Sequence, residues 1–361
     1  MSWFPFKFKK VSRRSLGIDI GTSSIKIVEL SKRKEGFRLE NYGEIKITPL
    51  KANHFGEAGR NTLFFSNKEI AKGLIRILKE AGIEEKEANF SIPDFATFFT
   101  NFELPSMSKE ELVNAIKYEA KNYIPLSLSE VTLDWVITGG KLKTNAKEPL
   151  KILTVAIPND TIIQYQEIAS LSGLKITTLE AEAFALTRAL KEDTKKSLAI
   201  IDIGARSTTC NIVEKGILKI SYSFNVSGNE LTDIISKSLR IPYEEAELIK
   251  REWGLLGAGK MAEVRESLIP LIDVILNEIK KAIQAFYQQE GEEVERIVLA
   301  GSSALLPGLK EYFSKETKKE VVVANPFEKV SYPSVLKDIL KERGPSYAIA
   351  VGMAIDGFSK K

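Results

Sequence analysis

Residues 16–24 read Leu-Gly-Ile-Asp-Ile-Gly-Thr-Ser-Ser, and residues 198–209 read Leu-Ala-Ile-Ile-Asp-Ile-Gly-Ala-Arg-Ser-Thr-Thr. In each stretch an apolar strand carries an aspartate, Asp19 or Asp202, into a turn rich in glycine and hydroxyl side chains. Such a turn lets backbone N–H groups approach phosphate oxygens. The two aspartates are 183 residues apart, which indicates an internal duplication at the scale of a domain.

Two such hairpins facing each other across a cleft could hold a polyphosphate, and their carboxylates could hold Mg²⁺ through water. A single copy would be explained as well by an aspartate that caps a turn. The chain has only ten aspartates, however. Two of them at corresponding points of a duplicated frame favour the phosphate interpretation.

The composition is that of an ordinary folded protein. The 361 residues are 43% hydrophobic and 28% charged, a balance typical of folded proteins. This length is enough for two or three domains of about 100–200 residues each. The single cysteine, Cys210, excludes an internal disulfide and a thiolate metal site, and the single histidine, His54, excludes a cluster of histidine ligands. This cysteine usage indicates a reducing compartment, which we take to be the cytoplasm.

The net charge of +4 lies at one end of the chain. Residues 1–14 hold five cations and no acid, so the remaining residues sum to −1. A nucleic-acid-binding protein spreads basic charge over a face, so we expect no nucleic-acid partner. The same arm holds four aromatic residues. It could bind peripherally to an anionic membrane surface or pack its aromatics onto the body, and both interpretations stay open.

Composition and local signals divide the chain. A shift to aromatic residues at Phe95, followed by strand and helix patterns, predicts a small inserted α+β unit. The predicted divisions are a basic aromatic arm (1–14), a first core (15–94 with 173–196), the insertion (95–172) and a second core (197–361).

Several helix ends can be predicted from capping signals. Asn67 is expected to cap one helix and Asp160 another. Ser108 and Glu111 form a capping-box pattern at the start of a third helix. Pro270 predicts a kink within a long amphipathic helix near the C-terminal end.

The order of these motifs resembles the actin/Hsp70/sugar-kinase ATPase superfamily. Within it, the position of the insertion looks like that of the FtsA/PilM branch of bacterial actin-like proteins, and the PilM family of type IV pilus assembly most of all. The matching elements are a first phosphate hairpin (17–25), a connecting helix (180–190), a second phosphate hairpin (201–209), an adenosine loop (299–308) and a second connecting helix (347–356). The resemblance implies a duplicated actin-like (ribonuclease H-like) α/β fold with an inserted subdomain.

The resemblance also implies roles for individual residues. Asp19 and Asp202 would hold Mg²⁺ through water, and Asp202 with Glu182 would act in catalysis, although Glu180 is an alternative to Glu182. Glu247 and Lys250 would hold the ribose of ATP or would form a solvated helix face. The full set of expected nucleotide contacts is Gly21, Thr22, Ser23, Ser24, Lys26, Gly204, Thr208, Gly228, Asn229, Glu247, Lys250, Gly301 and Ser302.

Two departures from the family pattern limit the expected activity. Arg206 stands in the second hairpin where relatives often have glycine, although it could also meet phosphate. The first connecting helix has Glu180-Ala-Glu182 where relatives have Glu-Pro. The resemblance therefore implies ATP with Mg²⁺ as ligand and at most slow hydrolysis.

The implied function is that of a cytoplasmic scaffold at the inner face of the membrane, in the platform that assembles a type IV pilus. It would bind the N-terminal cytoplasmic tail of PilN in a groove between the first core (1A) and the insertion (1C), beside the predicted helix 109–123. Other platform proteins and self-association are further expected partners. The alternatives are a small-molecule kinase or activator ATPase, for which no substrate base is evident, and an FtsA-like cell-division filament.

Overall fold

The structure is a computed structural model that describes residues 14–46, 65–142, 148–191 and 196–359. Residues 1–13 of the predicted arm and His54 lie outside the described residues. The strands are β1 (Arg14–Ile20), β2 (Ser24–Lys32), β3 (Phe37–Lys46), β4 (Glu87–Ile92), β5 (Phe98–Leu104), β6 (Val131–Gly139), β7 (Leu150–Pro158), β8 (Lys175–Ala181), β9 (Ser197–Ile203), β10 (Thr208–Glu214), β11 (Ile217–Phe224), β12 (Val294–Ala300), β13 (Glu320–Val323) and β14 (Val330–Ser331). The helices are α1 (Asn67–Glu80), α2 (Lys109–Ala120), α3 (Asn159–Leu171), α4 (Glu182–Ala189), α5 (Gly228–Leu239), α6 (Tyr243–Trp253), α7 (Ala262–Glu290), α8 (Leu309–Thr317), α9 (Lys337–Arg343) and α10 (Ala348–Asp356).

The duplication predicted from the two aspartate strands is present in the sheets. The first sheet has the order β14-β3-β2-β1-β4-β8 and the second has the order β11-β10-β9-β12-β13. In both, three consecutive strands pair antiparallel and two later strands join in parallel beside the aspartate strand. The same five-strand topology thus occurs twice, which makes the fold a duplicated α/β fold.

Two helices pack between the sheets and bring the halves together. Residues of α4 and α10 share one buried cluster with residues of the second sheet. Gly352 of α10 lies so close to the backbone of Ala185 in α4 that a Cβ at Gly352 would overlap the Ala185 carbonyl. This close approach fixes both connecting helices against each other, and with them the start of α4 at the cleft.

The insertion contributes a sheet of its own, in the order β5-β7-β6, with α2 packed over it. It is fastened to the second half. The Asn101 side chain donates a hydrogen bond to the Lys219 carbonyl at 2.9 Å, and the Lys219 Nζ donates to the Thr138 carbonyl at 2.6 Å. Lys151 of β7 pairs with Glu290 of α7 at 3.0 Å. Helix α3, by contrast, packs into the core of the first half through residues such as Tyr165.

Two of the predicted helix caps are wrong. Ser66, not Asn67, caps α1, because its hydroxyl accepts from the Glu69 N–H while the Glu69 carboxylate accepts from the Ser66 N–H. Pro158 precedes α3, and Asp160 lies in its first turn without capping it. The capping box of Ser108 with Glu111 is confirmed.

Candidate nucleotide site

The two predicted phosphate turns have the same backbone. The Gly21 N–H donates to the Ser24 carbonyl at 3.1 Å, and the Gly204 N–H donates to the Ser207 carbonyl at 3.0 Å. Each turn joins an aspartate strand to its antiparallel neighbour. Gly21 to Ser24 and Gly204 to Ser207 are therefore corresponding turns, as the sequence predicts, and Thr22 and Ser23 occupy the tip of the first one.

Four carboxyl groups gather between the turns. Burial raises the pKa of Asp202 to about 7, and the nearby Asp19 carboxylate adds to that shift. Burial likewise raises the pKa of Asp19 and, well above the usual range, that of Glu182. The fourth group is Asp94, whose pKa burial raises to about 8. Each of these shifts is the cost of holding a carboxylate away from water near other carboxylates.

Lys26 supplies positive charge to this cluster. Its Nζ donates to the Ser24 hydroxyl at 2.9 Å and lies 3.9 Å from the Glu44 carboxylate. Its charge opposes the upward pKa shifts of both Asp19 and Asp202. Lys26 thus faces both aspartates, in the place where the sequence predicts a phosphate contact.

The carboxyl pair fits a hydrated magnesium ion. The Asp19 Oδ1 atom is buried and has no hydrogen-bond partner in the structure, so it is free to accept from a water of the ion's shell. No three histidine, cysteine or acidic side chains of residues 14–46, 65–142, 148–191 and 196–359 form a group that could hold a metal directly. Asp19 and Asp202 are the carboxylates that could hold a hydrated Mg²⁺.

Glu180 and Glu182 have different partners in the structure. Glu180 pairs with Arg188, whose guanidinium donates to it at 2.9 Å and also lies 3.2 Å from Asp356. The Glu182 carboxyl instead interacts with Asp19, Asp94 and Asp202 in the cleft. Glu182 is thus the glutamate of the carboxyl cluster.

The second turn is held by the start of α5. The N–H groups of Gly228 and Asn229 donate to the carbonyls of Gly204 and Ala205 at 2.9 and 3.1 Å. These N–H groups therefore bind protein here, although the sequence predicts that they face the nucleotide. The Thr208 hydroxyl, predicted to face the γ-phosphate, donates to the Val226 carbonyl at 2.6 Å.

The adenosine loop lies against the second aspartate. Gly301 has a φ of +87°, and a Cβ there would overlap the Asp202 Oδ1 atom. Its N–H donates to the Pro345 carbonyl at 3.0 Å. Ser302 follows on the exposed side. The loop is thus beside the carboxyl cluster, as the sequence order predicts.

Glu247 and Lys250 pair with each other between α5 and α6. Lys250 is 5% exposed, so the solvated-face interpretation is wrong for it. Its Nζ binds the Glu247 carboxylate at 2.6 Å and the Gly228 carbonyl at 2.8 Å. Glu247 also accepts from the Thr232 hydroxyl at 2.6 Å. The pair fastens α6 to the start of α5, and its role toward ribose stays a prediction.

Sequence reasoning missed Asp94. It follows the buried strand β4 and Pro93, lies 3% exposed, and joins the carboxyl cluster from the first residue of a 3-10 turn. The same signal that marked Asp19 and Asp202, an aspartate at the end of an apolar strand, is present in Phe90-Ser-Ile-Pro-Asp94. No glycine-rich turn follows it, so the sequence pattern of the phosphate turns does not extend to Asp94.

A cavity of about 640 Å³ borders the cluster at Asp94. Strand β5 of the insertion forms one wall, and β11 with the start of α5 forms the other. Among its lining residues, the guanidinium of Arg206 lies over the Phe95 ring, 4.4 Å from its centroid. The walls of this cavity are the insertion and the second half, so it differs from the predicted groove between the first core and the insertion.

None of the helices in the part of the chain that the structure describes is long and apolar enough to span a membrane.

Comparisons with known proteins agree with this fold. The family described as type IV pilus assembly protein PilM matches residues 17–358. The cell division protein FtsA of Bacillus subtilis (strain 168) is 25% identical over 388 aligned positions, which cover 94% of this chain and 82% of FtsA.

Two solved structures extend the comparison. The PilM-PilN type IV pilus biogenesis complex has a chain that matches with a TM-score of 0.83 at 22% identity, covering 96% of this chain and 99% of that one. MreB5 of Spiroplasma citri bound to ADP matches with a TM-score of 0.55 at 12% identity, covering 95% and 96%. These likenesses confirm the predicted actin-like ATPase fold.

Proposed function

The chain belongs to the family of the type IV pilus assembly protein PilM, and from that premise we propose that it is an ATP-binding scaffold of the pilus assembly platform. In this proposal it works in the cytoplasm at the inner face of the membrane, and nucleotide state is relayed to assembly through the insertion. The observation that carries the proposal is the pair of corresponding turns with Asp19, Asp202 and Lys26 between them.

The charge balance of the cleft supports ATP with Mg²⁺ as its ligand. Burial and the Asp19 carboxylate raise the pKa of Asp202, while the charge of Lys26 opposes the upward shifts of both aspartates. A divalent cation bound there would offset the carboxylate charge beside a polyphosphate. A structural relative of the same fold, MreB5, is bound to ADP.

Slow hydrolysis is the activity that fits the cleft. In this proposal Glu182 orients the attacking water, since Glu180 is bound by Arg188. Arg206 stands in the second turn where relatives often have glycine, and its guanidinium lies over Phe95. We therefore propose turnover that is slow enough for the nucleotide to act mainly as a conformational ligand.

The proposed partner is the N-terminal cytoplasmic tail of PilN, and other platform proteins and further copies of the chain are proposed as additional partners. Support comes from the family and from the PilM-PilN complex among the similar structures. We place the tail between the first core (15–94 with 173–196) and the insertion (95–172), beside α2. Tyr118 of α2 is 74% exposed and is available to a peptide.

A pull-down tests the partner. Immobilised peptides with the cytoplasmic tail sequences of pilus inner-membrane proteins, PilN included, are incubated with the full chain with and without Mg-ATP. Retention on the PilN tail is expected, together with a loss for Tyr118→Ala and no loss for Tyr287→Ala, a 53% exposed tyrosine on α7. No retention on any tail in either nucleotide state would remove the scaffold proposal.

Calorimetry tests the nucleotide. Asp19→Ala and Asp202→Ala are expected to abolish Mg-dependent ATP binding, whereas Asp134→Ala, an exposed aspartate of β6, is expected to keep it. Affinity retained in both cleft variants would count against this site.

A further inference from the structure

Helix α4 begins without a cap of its own. The residue before it is Ala181, and no side chain at that position accepts a hydrogen bond from the first turn. The first N–H groups of a helix have no partner within the helix and need acceptors from elsewhere. The start of α4 is buried in the cleft, so water is a poor substitute.

Asp94 supplies that acceptor from the loop after β4. Its Oδ1 accepts from the Ala183 N–H at 3.1 Å, and its own N–H donates to the Glu182 Oε2 at 3.3 Å. This reciprocal arrangement has the logic of the capping boxes on α1 and α2. Here the capping residue comes from a segment 88 residues earlier in the chain.

The same loop reaches the other half of the molecule. Phe95, the next residue, lies under the guanidinium of Arg206 from the second phosphate turn. The second carboxylate oxygen of Asp94 is buried without a hydrogen-bond partner. Asp94 therefore stands at the point where β4, α4 and the second turn meet.

We propose that Asp94 is a positioning residue that fixes the start of α4 and thereby aims the Glu182 carboxyl at the water that attacks ATP. The inference rests on the proposed slow ATP hydrolysis. In that reaction Glu182 accepts a hydrogen bond from the water, the water oxygen bonds to the γ-phosphorus, and the bond to the ADP oxygen breaks. The products are ADP, inorganic phosphate and one proton.

Two variants at Asp94 and one elsewhere separate positioning from folding. Asp94→Ala removes the acceptor, and the single-turnover hydrolysis rate is expected to fall about tenfold or more, since small misplacements in an active site have effects of that size. The Kd for Mg-ATP is expected to stay within about twofold, because Asp94 acts on the water side and not on nucleotide binding. Asp94→Asn keeps an oxygen for the Ala183 N–H and is expected to retain hydrolysis within about threefold.

Ser66→Ala is the matched control. It removes the cap of α1, so it is expected to lower the melting temperature by an amount similar to Asp94→Ala while leaving hydrolysis unchanged.

The proposal is overturned if hydrolysis in Asp94→Asn falls as far as in Asp94→Ala, if both Asp94 variants hydrolyse as the wild type does, or if the hydrolysis rate and the Mg-ATP affinity fall together. A wild-type chain that binds Mg-ATP without measurable turnover also overturns it but leaves the proposed nucleotide binding intact, whereas failure of the wild type to bind ATP removes the proposed function itself.

Discussion

The two phosphate turns share a backbone and differ in what surrounds it. In the first, the neighbouring group is a charged side chain, Lys26, bound to the Ser24 hydroxyl. In the second, the neighbours are backbone N–H groups of α5, bound to the carbonyls of Gly204 and Ala205. By strand register Lys26 faces Asp19, and the residue that faces Asp202 in the same way is Thr209.

This difference shows what the duplication has kept. The turn geometry and the aspartate before it are common to both halves, because strand pairing fixes them locally. The positive charge beside the aspartate is not common to both halves, since Lys26 in the first half corresponds to Thr209 in the second. The first turn thus supplies the electrostatics of the cleft, and the second is braced as a rigid wall against the start of α5.

The largest expected effect comes from disturbing the loop after β12, which packs against Asp202 of the second half. In Gly301→Ala the new Cβ would overlap the Asp202 carboxylate and lie 2.6 Å from the Ile203 carbonyl, at a φ of +87°. We expect a loss of about 2–4 kcal/mol in the free energy of unfolding, measured in urea. Gly82→Ala has a similar φ of +64° with no atom within 4 Å, and it should lose only about 1 kcal/mol. Equal losses would mean that the loop is not tightly packed against the second aspartate.

The pH dependence of stability probes the carboxyl cluster that both turns share. Asp94 has an ordinary pKa of 3.8 and a folded pKa of about 8, so between these values the folded chain holds a proton that the unfolded chain has released. Stability is therefore expected to fall as pH rises through this window, by up to about 1.4 kcal/mol per pH unit for this group. Asp94→Asn cannot titrate, so its stability should vary less with pH. Identical slopes in urea denaturation from pH 5 to pH 8 would contradict the burial of this carboxyl.

Removing one cation from each turn sharpens the contrast in charge. Lys26→Met takes away the charge that faces Asp19 and Asp202, and it is expected to weaken Mg-ATP binding about tenfold or more, since bonds to charged groups contribute about 1.5–3 kcal/mol. Arg206→Met is expected to change the affinity less than about threefold, because its guanidinium lies over Phe95 and such contacts contribute about 0.5–2 kcal/mol to local packing. Calorimetry would refute this division if Arg206→Met had the larger effect.

The parts of the fold that the sequence predicts are those encoded within a few residues. An aspartate, a glycine and hydroxyl side chains at the end of an apolar strand define each turn, and the alternating strands around it define the topology. The sequence does not fix the cap of α1 to within one residue, because Ser66 and Asn67 are both good caps and only the contact with Glu69 separates them.

The features that were missed depend on distant segments. Asp94 follows the end of β4 by two residues. Its hydrogen-bond partners Glu182 and Ala183 lie 88 and 89 residues further along the chain. The pairing of Lys250 with the start of α5 likewise requires two helices to dock. Hydrogen bonds between elements that are far apart in the chain leave no periodicity for sequence reasoning to detect.

The smallest expected effect concerns Thr208, which corresponds by register to Ile25 in the first turn. Its buried hydroxyl donates to the Val226 carbonyl, so Thr208→Val should lower the free energy of unfolding by about 1 kcal/mol. Mg-ATP affinity should be unchanged, since the hydroxyl already has a protein partner. Thr317→Val, which loses a similar hydroxyl-to-carbonyl bond in α8, is the control for stability alone. A selective loss of ATP affinity in Thr208→Val would instead support its predicted contact with the γ-phosphate, and the second turn would then bind nucleotide through a side chain as the first turn is expected to do.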